Sequence, residues 1–171
     1  ATALLGLSIY LVFDFVATRE VMPADQYPMI LGDTIPWFQP FHINFATGVD
    51  GISVVMILLS GIIVFTGTFA SWQMQPMKKE YFLWFVLLST GVFGFFISKD
   101  LFTMFMFYEV ALIPMYLLIG VWGSGAKEYS AMKLTLMLMG GSALLIIGIL
   151  AIYSYSGATT MDINEIAAMH N

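Results

Sequence analysis

Glu109 lies inside an apolar stretch, Leu101–Val121, that carries no other charged residue. At the helical rise per residue it sits about 12 Å in from Leu101, close to the middle of a bilayer. An ionised side chain at that depth costs roughly 2.5–3.5 kcal/mol on insertion scales, so an acid kept there points to a proton or ion pathway. Its helical neighbours three, four and seven positions away are Phe102, Phe105, Met106, Leu112, Ile113 and Tyr116. Only Tyr116 among them is polar. The carboxyl therefore needs a partner from another helix, or it must hold its proton. A low dielectric favours the neutral acid and a nearby ammonium favours the carboxylate, and either arrangement can switch.

Pro114 follows five residues after Glu109. A proline inside a helix lacks the amide that would bond the carbonyl four residues back, here that of Val110. Beside an intramembrane acid this reads as a local break that admits water, with a plain packing kink as the alternative.

The remaining charges have simpler readings alongside functional ones. Asp100 opens the Leu101–Val121 segment, where a carboxylate suits the positive end of a helix, so capping is its ordinary role. Lys133 begins the last apolar segment; it can snorkel to the headgroups, or turn inward past its small neighbours Ala131 and Thr135. Asp50 and Ser53 read as a helix N-cap region, and Lys78, Lys79 and Glu80 as an interfacial cluster. His42 reads first as a polar loop residue.

These residues must be placed by five apolar segments: Ala1–Val16, Ile52–Trp72, Tyr81–Ser98, Leu101–Val121 and Ala131–Tyr155. Each approaches or exceeds the roughly 17–25 residues of a crossing helix. The first is short, carries Asp14 near its end and begins without Met, so it reads as the end of a helix that starts upstream. A cleaved secretory signal fits poorly, because there is no basic n-region and no small-residue cleavage site. The expected architecture is an all-α, polytopic membrane helix bundle forming one transmembrane unit over residues 1–171. Between the first two segments runs a long loop, residues 17–51, with four of the six prolines; its alternation at Phe41, Ile43 and Phe45 suggests one strand of a hairpin. Gly91 with Gly94, and Gly141 with Gly148, mark faces where helices can approach closely.

Composition agrees. The chain is 60% hydrophobic and only 10% charged, against about 25% charged in a soluble domain. A net charge of −5 offers no basic surface for nucleic acid. There are no cysteines, which removes thiolate and iron–sulfur ligation, and two histidines are too few for a histidine-rich metal site. Nucleotide loops and nucleophile elbows are absent from the sequence. Lys78, Lys79 and Lys127 lie in two connections that the positive-inside rule places in the cytoplasm, leaving the 17–51 loop, the Ser98–Asp100 turn and the 157–171 tail outside.

The run GVFGFFISKDLFTMFMFYEVALIPMYLLIGVWG, Gly91–Gly123, resembles the antiporter-like M-type membrane subunits of bacterial NADH:quinone oxidoreductase, respiratory complex I. HINFATGVDGISV, His42–Val54, and AMKLTLMLMGGSALLIIGILAIY, from Ala131, are similar to neighbouring parts of the same subunits. The GVDGIS element favours the M type over the L and N types and over sodium/proton antiporter subunits of common ancestry.

The resemblance implies a fragment holding about the second to sixth helices of an antiporter-like fold with inverted repeats. It puts the family's proton-channel glutamate on Glu109, its helix-start aspartate on Asp100 and its sixth-helix lysine on Lys133. Leu134, Thr135 and Leu136 stand where the family often has aromatic residues, which weakens the transfer to Lys133 but not to Glu109. The glutamate's lysine partner falls on a later helix, outside this sequence.

By the same resemblance the chain holds no cofactor. NADH, FMN, iron–sulfur clusters and quinone belong to other subunits, the partners are L- and N-type neighbours and the bilayer, and the location is the bacterial inner membrane. The implied function is proton translocation coupled to distant electron transfer. The alternatives are a subunit of a multi-subunit sodium/proton antiporter and a structural membrane scaffold.

Overall fold

The computed structural model describes residues 1–21, 30–38, 40, 43–73, 78–157 and 160–169. In chain order the elements are α1 (Thr2–Val21), β1 (Ile30–Phe38), β2 (Ile43–Val49), α2 (Gly51–Ala70), α3 (Lys78–Ile97), α4 (Leu101–Trp122), α5 (Lys127–Tyr155) and a short α6 (Ile163–Ala168). The helices α1 to α5 are each long and apolar enough to cross a membrane. Their outward surfaces are apolar too: Phe13, Ile52, Leu83, Met137 and Leu144 are all exposed. Water would penalise such a surface, whereas lipid or further helices would not.

α1 and α5 run further than the apolar patterning suggested. α1 continues through Asp14 and Arg19 to Val21, and α5 begins at Lys127. In both cases polar residues extend the helix past its apolar portion, where hydropathy no longer marks it but backbone bonding continues. α5, at 29 residues, is about 43 Å long.

The helical bundle carries one short β element in the loop where the alternation suggested a hairpin strand. β1 and β2 form an antiparallel hairpin, pairing Ile35 with Phe45 and Phe38 with Ile43, with register irregularities on either side of Asp33–Pro36. Ile43 and Phe45 therefore do lie in a strand; Phe41 and His42 fall outside the described residues. The strand's inner edge is used. Lys99 N–H donates to the Ala46 carbonyl at 2.9 Å, and Thr47 bridges to Ser98. From the other side, Ile163 N–H donates to the Lys99 carbonyl at 3.1 Å and Leu101 N–H to that of Met161 at 3.0 Å. Loop, turn and tail, which the lysine pattern assigned to one side of the membrane, are thus hydrogen-bonded to one another at one end of the bundle.

Packing follows the small residues in part. α3 meets α4 where a Cβ at Gly91 would stand 2.9 Å from that of Ala111, and one at Gly94 would strike the Phe107 ring. α1 meets α2 through Ser8 and Gly61. Gly141 and Gly148 differ from expectation: among the described residues nothing lies within 4 Å of the Cβ that either could carry. Ser142, beside them, is the residue that turns inward. Apolar packing concentrates near the hairpin end, where Phe15, Val49, Val54 and Ile57 form one buried cluster and Ile43, Ile149 and Met161 another.

Candidate functional site

α4 carries Glu109 at mid-span, and α5 supplies the facing wall. Met106, Glu109, Val110, Leu112, Ile113 and Tyr116 from α4 line a groove of about 400 Å³ with Thr135 and Met139 from α5. The partners anticipated from helical spacing, Met106, Leu112, Ile113 and Tyr116, are there. Glu109 is half-buried, and its Oε1 is shut away from solvent with no hydrogen-bond partner among the described residues. A buried acceptor left unmet is costly, so natural structures rarely keep one without a use.

Pro114 is buried within α4, four residues after Val110. It can offer no amide to the Val110 carbonyl. Glu109 is thus followed directly by a residue whose carbonyl lacks its helical donor, and Val110 borders the same groove.

Lys133 does not enter the groove. It is exposed, with Nζ 5.9 Å from the centroid of the Tyr129 ring one turn earlier on α5. Helical geometry explains this: Ala131 and Thr135 face α4, and position 133 lies about 200° round from each. Among the described residues Lys133 thus faces away from α4.

Asp100 is 1% exposed and caps α4. Its Oδ1 accepts from the amides of Phe102 at 2.9 Å and Thr103 at 3.2 Å, and its Oδ2 accepts from that of Asn44 on β2 at 3.4 Å. Thr103, fully buried, donates its hydroxyl to the Asn44 carbonyl at 3.2 Å. Burial, above all, pushes the Asp100 carboxyl above its ordinary 3.8; the three backbone amides pull the other way, and the nearby Asp162 adds to the rise. The capping role is therefore real, and it extends to anchoring the hairpin. Glu109 and Asp100 stand nine positions apart on one helix, roughly 13 Å along its axis.

Three residues here escaped the sequence reading. Asn44 and Thr103 gave no local signal, because their bond joins distant segments. Asp162 did give one. The pattern Asp162-Ile-Asn-Glu165 has the spacing of a capping box, and Asp162 Oδ1 indeed accepts from Asn164 N–H at 2.8 Å to start α6. Among the described residues no group of three histidine or acidic side chains comes together to hold a metal ion.

Comparison with known proteins bears on the family and the fold. Residues 98–171 match the family described as NADH:quinone oxidoreductase/Mrp antiporter, TM. The chain is 30% identical over 136 residues to NAD(P)H-quinone oxidoreductase chain 4-2 of Synechocystis sp., covering 80% of this chain and 24% of that one. It is 33% identical over 123 residues to NADH-quinone oxidoreductase subunit M of Rhodobacter capsulatus, covering 72% and 24%. In fold it superposes on a chain of respiratory complex I from Thermus thermophilus with a TM-score of 0.74 at 20% identity, covering 94% of this chain and 34% of that one. The chain thus spans about a quarter of the length of the curated relatives it matches.

Proposed function

We propose that this chain, similar in sequence to an M subunit of NADH-quinone oxidoreductase and in fold to a chain of respiratory complex I, is part of a proton-translocating membrane subunit of such a complex. The observation that carries the proposal is Glu109: a mid-span carboxyl with an unmet buried oxygen, opening on a groove between two helices.

In this mechanism the groove supplies a low dielectric and a carboxyl that binds and releases H⁺ without leaving the bilayer interior. Glu109 alternates between an ionised state, paired with an ammonium from a helix beyond this sequence, and a protonated state. Pro114 keeps the backbone beside it open to water. Asp100 fixes the end of α4 against the hairpin, so the carboxyl's height in the membrane is held from outside the span. Lys133, exposed on the far side of α5, serves a separate relay position rather than pairing with Glu109. The chain makes no chemical bonds: NADH, FMN, iron–sulfur clusters and quinone are held by other subunits, and the energy arrives through L- and N-type neighbours in a bacterial inner membrane.

The test is Glu109→Gln in the assembled complex, reading protons moved per electron pair in sealed vesicles. Loss of pumping with slowed coupled turnover is expected, and Glu109→Asp should retain part of it. Unchanged stoichiometry in the Gln variant would leave the scaffold reading standing. The family description also covers Mrp antiporters, which supports a sodium/proton antiporter subunit as the second reading. Flanking genes for NADH-binding subunits favour the first reading, and genes for small antiporter subunits the second.

A further inference from the structure

We infer that Thr135 is a positioning residue for Glu109, holding together with the Val110 carbonyl the water through which the carboxyl exchanges its proton. This rests on the proton-translocating reading above and names its immediate donor.

The α4–α5 groove has space and the right polarity. Its volume of about 400 Å³ far exceeds that of one water, and a held water needs two to four polar partners. Among the described residues its lining is otherwise apolar: Glu109, Thr135 and Tyr116 bring polar side chains, and Val110 a carbonyl that lacks the Pro114 amide. Among the described residues no other charged side chain lines it. On α5, Lys127, Glu128 and Lys133 lie outside it; on α3, Lys78, Lys79 and Glu80 sit in the first turn; Asp100 is committed to the cap.

The direction of the Thr135 hydroxyl is already set. It donates to the Ala131 carbonyl at 2.9 Å, one turn earlier on α5, and Ala131 is fully buried. With its hydrogen committed, the Thr135 oxygen can only accept. A neutral water donates one O–H to Thr135 and the other to the Glu109 carboxylate; once it carries an excess proton, its third O–H is accepted by the Val110 carbonyl. From that state a proton passes along the bond to the carboxylate, leaving neutral water and a protonated acid. Release runs back through the same bond. Nothing is oxidised or reduced, and no other bond changes.

The residue type matters. A phenylalanine at position 135 would occupy part of the groove and offer no acceptor; threonine leaves both room and a lone pair.

The experiment compares Thr135→Val, Thr135→Ala, Thr135→Ser and Glu109→Gln in the assembled complex in proteoliposomes. It reads proton pumping together with the carboxyl C=O stretch assigned by its absence in Glu109→Gln. Thr135→Val and Thr135→Ala should pump roughly five- to tenfold more slowly, the scale of one lost hydrogen bond, with the Glu109 band displaced. Thr135→Ser should restore both. Wild-type pumping and an unmoved band in Thr135→Ala would overturn the inference, as would equal impairment in Thr135→Ser. If Glu109→Gln itself pumps normally, the functional reading fails instead, so the two failures are distinct.

Discussion

The backbone N–H of Asn44 donates to Oδ2 of Asp100 at 3.4 Å, tying the hairpin to the first turn of a helix 56 residues further along the chain. One carboxylate thereby caps α4 and docks β2. Removing it by Asp100→Ala deprives three amides of their acceptor and should cost about 2–3 kcal/mol, more than the ~1 kcal/mol of an ordinary cap. Asp100→Asn keeps a carbonyl oxygen for Phe102 and Thr103 and should lose much less. Thermal unfolding of the two variants in lipid nanodiscs measures the difference, and equal losses would show that the charge, not the acceptor, holds the junction.

Asp100 also gives stability a definite pH dependence. Its carboxyl sits above the ordinary 3.8, chiefly through burial, so the folded chain holds this proton more tightly than the unfolded chain. The sign follows from linkage. Its contribution is greatest below 3.8, falls as pH rises between 3.8 and the raised value, and is constant above that. Asp100→Asn should flatten this slope and leave the remaining pH dependence in place. Unfolding midpoints taken across the acid range for both proteins test it.

The contact between Gly94 and Phe107 sets the distance between α3 and α4. Gly94→Ala places a methyl against the ring and should destabilise by roughly 1–3 kcal/mol, the usual scale of overpacking. Phe107→Leu in the same chain should recover part of that loss. A double-mutant cycle on unfolding reads the coupling, and additive losses would mean that the two residues do not share the interface.

Lys133 and Glu109 do not share a groove, and their roles should separate experimentally. Lys133→Met should lower pumping while leaving the infrared signature of the Glu109 carboxyl as it is. A displaced Glu109 band in that variant would show that the two side chains are paired.

How much the sequence disclosed depends on how local each cause is. The helices follow from long apolar runs, and Glu109 announced itself as the single charge in one of them. Gly91 and Gly94 were readable because helix packing leaves a periodic mark. Gly141 and Gly148 carry the same mark but meet no neighbour among the described residues, since spacing identifies a face without saying what meets it. The hairpin showed itself in only a few alternating residues, because its docking rests on Lys99 and Asp100 far along the chain. Lys133 lies two positions from each of Ala131 and Thr135, which face α4, and on a helix that is nearly the opposite side.

The most direct measurement follows the Glu109 carboxyl itself by infrared difference spectroscopy in lipid membranes, with Glu109→Gln as the reference. A protonated-carboxyl band assigned to Glu109 should rise and fall as pH or turnover changes. A side chain that stays in one protonation state throughout, or a difference spectrum unchanged in Glu109→Gln, would contradict the account.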